Sequence, residues 1–183
     1  MPDLHGWITQ QVDETQRIAE AACGQGAGRW HHETGYHSGR VEDERGETVV
    51  YDEGAPLEEE AAHIALHDPA AVLRRCEADR RILERHRLDP DVHYEPACKG
   101  CGTYGDMELP ETDNLNECPE LLDLAHAHGL TPEILASLDQ PVPPPMPERP
   151  EPGPGIRIGP PARSTRSVPA ALRGPNWPSQ GRS

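Results

Sequence analysis

Three cysteines constrain this chain more than any other feature. Cys98 and Cys101 flank Lys99-Gly100, and Cys118 follows seventeen residues on. They lie in residues 96–119, a loop-like stretch with too few apolar side chains to hold a shape by burial alone. Gly100 and Gly102 permit the tight backbone turn that aims two thiolates at one ion. Cys118 adds a third from the start of a helix. Spacing of this kind predicts a small structural Zn2+ site, which takes four protein ligands. For the fourth, His86 at the end of the preceding helix is the first candidate, then His93, His126 and Cys76. Cys76 falls on the apolar face of its helix and reads as core. Cys23, beside a glycine-rich loop, reads as an ordinary thiol. A redox pair is disfavoured because Cys98 does not open a helix after a strand.

Composition explains why a staple is needed. Leu, Ile and Val number 25 in the first 139 residues, and Phe is absent. A chain so lean falls just under the apolar content, roughly 20%, below which high net charge favours disorder. The net charge is -15, unevenly spread: residues 1–139 carry 30 acidic and 11 basic groups, residues 140–183 carry 2 Glu and 6 Arg. An acidic body repels phosphates and suits a protein partner better than duplex nucleic acid. No run approaches the roughly 20 apolar residues of a membrane span, and Met1-Pro2-Asp3-Leu4 does not begin like a signal peptide. With an odd number of cysteines, a reducing cytoplasm is the expected location.

Hydrophobic spacing predicts an amphipathic helix over residues 3–22, with Leu4, Trp7, Ile8 and Val12 on one face and Asp3 as cap. Trp30, Tyr36, Val41 and Thr48-Val49-Val50-Tyr51 read as a small antiparallel meander. Residues 58–87 read as helical, reset at Asp68-Pro69, where Asp68 caps and Pro69 takes the first helical position. Val72, Leu73, Cys76, Ile82 and Leu83 line one face of the second helix. Asp79 is expected to face outward among Arg74, Arg75, Arg80 and Arg81. Pro119 opens a short helix to Ala127, and Thr131 caps another over 134–138. The expected domains are an acidic body over 1–139 and a disordered Pro/Gly/Arg-rich tail over 140–183. The fold class is α+β, with helices on a small meander closed by a zinc-knuckle-like loop.

Other clusters carry less. His63 and His67, four residues apart on one helix face with Glu59, Glu60 and Asp68 nearby, are candidates for a second metal. Ile64 stands where an HExxH zinc protease needs its general-base glutamate. His31, His32 and His37 read as surface histidines. Gly24, Gly26 and Gly28 lack the preceding strand and following helix of a phosphate loop.

The ordered combination of Asp3-Leu4…Trp7-Ile8, the run from His63 to Arg74 containing His67-Asp68-Pro69-Ala70-Ala71-Val72-Leu73, the Arg81-Ile82-Leu83…His86 segment, Cys98-Lys99-Gly100-Cys101-Gly102 and Cys118-Pro119 resembles a family of short uncharacterised proteins from actinobacteria and their phages, a domain of unknown function. The likeness covers roughly residues 3–128. It implies no reaction. Its His…CxxC…CP pattern implies that His86 joins Cys98, Cys101 and Cys118, and it implies a phage or prophage derivation. The chain departs from the pattern after Pro119, where an acidic, aromatic ending gives way to Ala127-His128-Gly129-Leu130 and the proline tail.

The function expected from these features is non-catalytic: a cytoplasmic accessory or interaction domain with structural zinc and a protein partner. No convergent acid–base set points to catalysis. One alternative is a nucleic-acid-associated zinc protein acting through the loop and the Arg-rich tail, although Lys99 is the loop's one cation near the ligands. Another is a metal-dependent enzyme using His63 and His67. A third is an acidic body that mimics nucleic acid.

Overall fold

Apolar residues at three- and four-residue steps make the first helix, α1 (Leu4–Cys23), bury Leu4, Trp7, Ile8 and Val12 along one stripe. Asp3 caps it, its Oδ1 accepting the Gly6 N–H at 2.8 Å. In the computed structural model the described residues are 1–33, 40–50 and 56–147. After α1 come β1 (Trp30–His32), β2 (Val41–Asp43), α2 (Glu58–Leu66), α3 (Pro69–Arg85), β3 (Thr103–Tyr104), β4 (Leu109–Pro110), α4 (Pro119–Ala127) and α5 (Pro132–Ser137). Single 3₁₀ turns at Lys99–Cys101 and Leu115–Glu117 punctuate the cysteine loop. The fold is therefore α+β. No helix among the described residues is long and apolar enough to cross a membrane.

The helix break expected at Asp68-Pro69 separates α2 from α3, with Asp68 Oδ1 accepting the Ala71 N–H at 2.6 Å. Strands β1 and β2 pair antiparallel, His31 opposite Glu42, and Thr48 adds a bridge to Glu42. The strand positions expected at Tyr36 and Tyr51 lie outside the described residues, as do His37 and residues 148–183 of the expected tail. Residues 141–147 carry no helix or strand. A second ladder, β3 against β4, sits inside the cysteine loop. Strands of two residues are too short to show the alternation by which a strand is read from sequence.

The core joins Leu4, Ile8 and Val12 of α1, Cys76 and Leu83 of α3, Leu115, and Leu121, Leu124 and Ala125 of α4. Cys98 and Cys118 belong to it. Each fully buried aliphatic contributes about 1.5–3 kcal/mol relative to exposure, so this one cluster carries most of the apolar stabilisation. Buried Asn116 ties the start of α1 to the segment after α5: its Oδ1 accepts the Leu4 N–H at 2.9 Å and its Nδ2 donates to the Asp139 carbonyl at 3.0 Å. Asp79 does not face outward among the arginines. It points into the seam between α3 and α4 and accepts a hydrogen bond from His128 Nε2 at 3.0 Å, because a partly buried carboxylate needs a partner.

Candidate metal centre

Backbone pairing assembles the site. As α3 ends, His86 donates its N–H to the Ile82 carbonyl, and the chain turns to run antiparallel to the cysteine segment, with Leu88 opposite Cys98. Asp89 N–H donates to Ala97 and Lys99 N–H to Arg87, both at 2.9 Å. This short ladder sets His86 against the Cys98–Cys101 turn. Gly100 is required there: a Cβ on it would lie 2.6 Å from His86 Nδ1 and 2.8 Å from the Arg85 carbonyl oxygen. Gly102 closes the turn at φ +81°, a left-handed conformation that favours glycine. Cys118 caps the start of α4, whose first residue is Pro119.

The four side chains converge. His86 Nδ1 lies 3.6 Å from Cys98 Sγ, 3.9 Å from Cys101 Sγ and 3.4 Å from Cys118 Sγ. Cys118 Sγ is 3.6 Å from Cys98 Sγ and 3.5 Å from Cys101 Sγ. All four ligand atoms fall within 4.8 Å of one another, and every cysteine is free. Zinc held tetrahedrally at about 2.3 Å by sulfur and about 2.05 Å by nitrogen sets sulfurs about 3.8 Å apart, and sulfur from nitrogen about 3.6 Å apart. These five edges are close to those of a tetrahedron of that size. His86, Cys98 and Cys118 are buried, and Cys101 is half-buried. Such a group can hold a metal ion.

Electrostatics agree with a ligand cluster. The thiol proton of Cys118, shared with Cys98, pulls Cys98 down to about 5 against the opposing effect of burial. The same sharing, reinforced by burial, pushes Cys118 far up. Burial also raises Cys101. The metal-free cluster thus holds one thiolate and two protonated thiols at neutral pH, and metal binding must displace the remaining thiol protons.

The other sequence candidates go elsewhere. His93 Nδ1 donates to the Pro144 carbonyl at 3.3 Å, Cys76 is buried in the core, and His126 is exposed on α4. His63 and His67 do share a face, their ring centroids 4.3 Å apart. Both are exposed, and His67 Nδ1 accepts from Arg75 Nη2 at 2.9 Å. Two of their nearby carboxylates are engaged: Asp68 caps α3, and Glu60 accepts the Leu57 N–H at 2.9 Å. Among the described residues, His86, Cys98, Cys101 and Cys118 are the group placed to hold an ion.

Two features escaped sequence reasoning. Glu120 reads as an ordinary acid in the first turn of a helix, yet its Oε2 lies 3.5 Å from Cys118 Sγ and 3.6 Å from Cys101 Sγ. The Asp79–His128 pair spans 49 positions, and local charge spacing cannot signal a contact of that range.

Residues 1–129 match DUF6221, described as a family of unknown function. No curated protein and no solved structure matches the chain.

Proposed function

The chain belongs to the DUF6221 family, and from that premise we propose that it is a non-catalytic cytoplasmic interaction domain whose Cys98, Cys101, Cys118 and His86 hold a structural zinc. The observation that carries the reading is that five of the six ligand-to-ligand distances are 3.4–3.9 Å, close to the edges of a tetrahedron of zinc size, with all four atoms within 4.8 Å. Three soft sulfur donors with one imidazole favour zinc over magnesium or calcium, which prefer oxygen. Four protein ligands leave no position for a water or substrate, so the ion supplies folding energy rather than Lewis acidity. The strongly acidic body supports a protein partner with basic character.

The test is metal stoichiometry on the full, untagged chain by elemental analysis and native mass spectrometry. One zinc per chain is expected, lost together with the native circular dichroism spectrum on Cys101→Ser. An intact fold with five free thiols and no metal would sink the reading.

A further inference from the structure

Glu120 stands where a closed structural site has no use for a carboxylate. Its Oε2 lies 3.5 Å from Cys118 Sγ, 3.6 Å from Cys101 Sγ and 3.8 Å from His86 Nδ1. These three atoms form one face of the ligand tetrahedron, and Cys98 is its remote corner. The face is also where the cluster meets solvent. The Glu120 side chain is 54% exposed, against 10% for His86, and Cys101, beside it, is less buried than Cys98 or Cys118. Its place is fixed by the backbone, because Cys118 caps α4 and Glu120 follows in the first turn.

Charge makes the position more telling. A zinc ion against three thiolates leaves the filled centre with one net negative charge, the same as the metal-free cluster with its single thiolate, so a carboxylate at its edge gains no attraction from filling. No Lys or Arg among the described residues pairs with Glu120; its one ion-pair neighbour is His86, itself a ligand of the cluster. Glu120 therefore does not serve the filled state. It suits the states before and after. Zinc accepts carboxylate oxygen readily, and a hydrated cation arriving from solvent reaches this group before the buried sulfurs.

We infer that Glu120 is the capture ligand of the metal centre. Its carboxylate binds incoming Zn2+ at the exposed face, hands it to Cys101, Cys118 and His86, and receives it again when the ion leaves to a competing chelator. The inference rests on the zinc reading above. It makes the centre kinetically exchangeable although its ligand set is closed. Capture speeds loading and release together, so the equilibrium affinity does not depend on it. A permanent fifth ligand would instead raise affinity.

The experiment uses the full chain, as wild type, Glu120→Gln and Glu117→Gln. Glu117 is exposed three residues away and outside the cluster, so its variant removes the same charge without touching the face. Stopped-flow mixing of metal-free protein with Zn2+, followed by removal with excess EDTA, gives both rates; competition with a chromophoric chelator gives the affinity. Glu120→Gln is expected to slow loading and removal by the same factor, with affinity unchanged, while Glu117→Gln matches wild type. Unchanged rates in Glu120→Gln with one zinc bound would overturn the capture role and leave the zinc reading standing. Equal slowing in both variants would reduce the effect to general charge steering and overturn it too. A fall in affinity in Glu120→Gln would make Glu120 a resident ligand, also overturning it. A wild-type chain that takes no zinc would overturn both readings.

Discussion

In the region built from α1, α3, α4 and the cysteine loop, aliphatic side chains and ligand sulfurs share one core: Leu4, Ile8, Leu115 and Leu121 are fully buried, and Cys98 and Cys118 with them. In the region of β1, β2 and α2, the buried apolar side chains among the described residues are Val41 and Ala61. There the chain relies on charge and backbone. Arg40 pairs with Glu42 at 2.9 Å, Arg45 with Asp43 at 3.0 Å, and Asp43 Oδ1 accepts the Arg45 and Glu47 N–H groups at 2.9 Å. The solvent-facing Arg45–Asp43 pair contributes little, while Glu42, itself buried, needs Arg40 beside it. With zinc bound as proposed, the first region gains a metal-dependent reserve of stability for which the second has no ligand cluster among the described residues. An apolar-poor chain would thus concentrate its stability around one ion.

The largest effect expected is at the ligands. Cys118→Ser should remove the metal and forfeit much of the roughly 10–16 kcal/mol that a structural zinc couples to folding. Hydrogen exchange should show protection lost across residues 86–127 first, with β1–β2 and α2 following only as α3 frays. Simultaneous loss in both regions would break the comparison, since the molecule would then be one cooperative unit.

Acidity should act on the first region before the second, whose Asp43 and Glu44 carboxyls are held below the usual range by backbone N–H groups and protonate only at lower pH. Cys101 and Cys118 have raised pKa values and are protonated at neutral pH, whereas Cys98, near 5, is already ionised. Metal binding therefore releases about two protons from the thiols between roughly pH 7 and 9, and more in acid, where His86 too must be neutral to bind. Affinity rises with pH across that window by about two log units per unit, and the stabilisation it gives falls away toward pH 5. Below that, Cys98 takes up a proton as well and the loss steepens. Calorimetry in buffers of different ionisation enthalpy measures the proton count. A count near zero would mean the thiols are ionised before metal arrives.

Much of the metal region was legible in the sequence because its cues are local. Leu4, Trp7, Ile8 and Val12 mark α1 by period, Asp68-Pro69 marks a helix start by chemistry, and Cys98 and Cys101 mark the turn by spacing. His86 was the first of four candidates; what selects it is the ladder between residues 87–89 and 97–99, a pairing with no side-chain signature. Glu120 and the Asp79–His128 pair were hidden for the same reason: their meaning depends on what another segment brings alongside. In the hairpin region, Trp30 and Val41 mark strands, yet nothing in the spacing reveals that Asp68, thirty-eight residues after Trp30, holds that strand by its backbone.

A smaller effect tests the close approach inside the metal region. Gly100→Ala places a methyl 2.6 Å from His86 Nδ1 and 2.7 Å from its Cγ. The ring must shift or the turn must open, costing about 1–3 kcal/mol as overpacking. Because the same methyl also lies 2.8 Å from the Arg85 carbonyl oxygen, the cost should lower the melting temperature of the metal-free protein, and because the other obstructed group is a ligand, metal affinity should weaken as well. A variant that binds metal as wild type does would show that the turn has slack the geometry does not display.

An effect of similar size, and one that should leave the metal centre untouched, bears on the joint between the regions. Asp68 is buried and used twice: Oδ1 accepts the Ala71 N–H at 2.6 Å as the α3 cap, and Oδ2 accepts the Trp30 N–H at 3.2 Å from β1. Beside it the Gly28 carbonyl accepts the Ala70 N–H at 3.0 Å. Asp68→Ala removes both side-chain bonds and should cost about 2 kcal/mol, the cap and an unsatisfied strand N–H together. Asp68→Asn separates them. Asparagine caps a helix about as well as aspartate, but with its oxygen on Ala71 its amide N–H faces the Trp30 N–H, donor against donor. Exchange protection at Ala71 should then survive while that of Trp30 falls, and metal affinity should stay at the wild-type value. If Asp68→Asn instead weakens metal binding, strain at the hairpin reaches the centre through α3, and the two regions are not the separate stabilities that their cores describe.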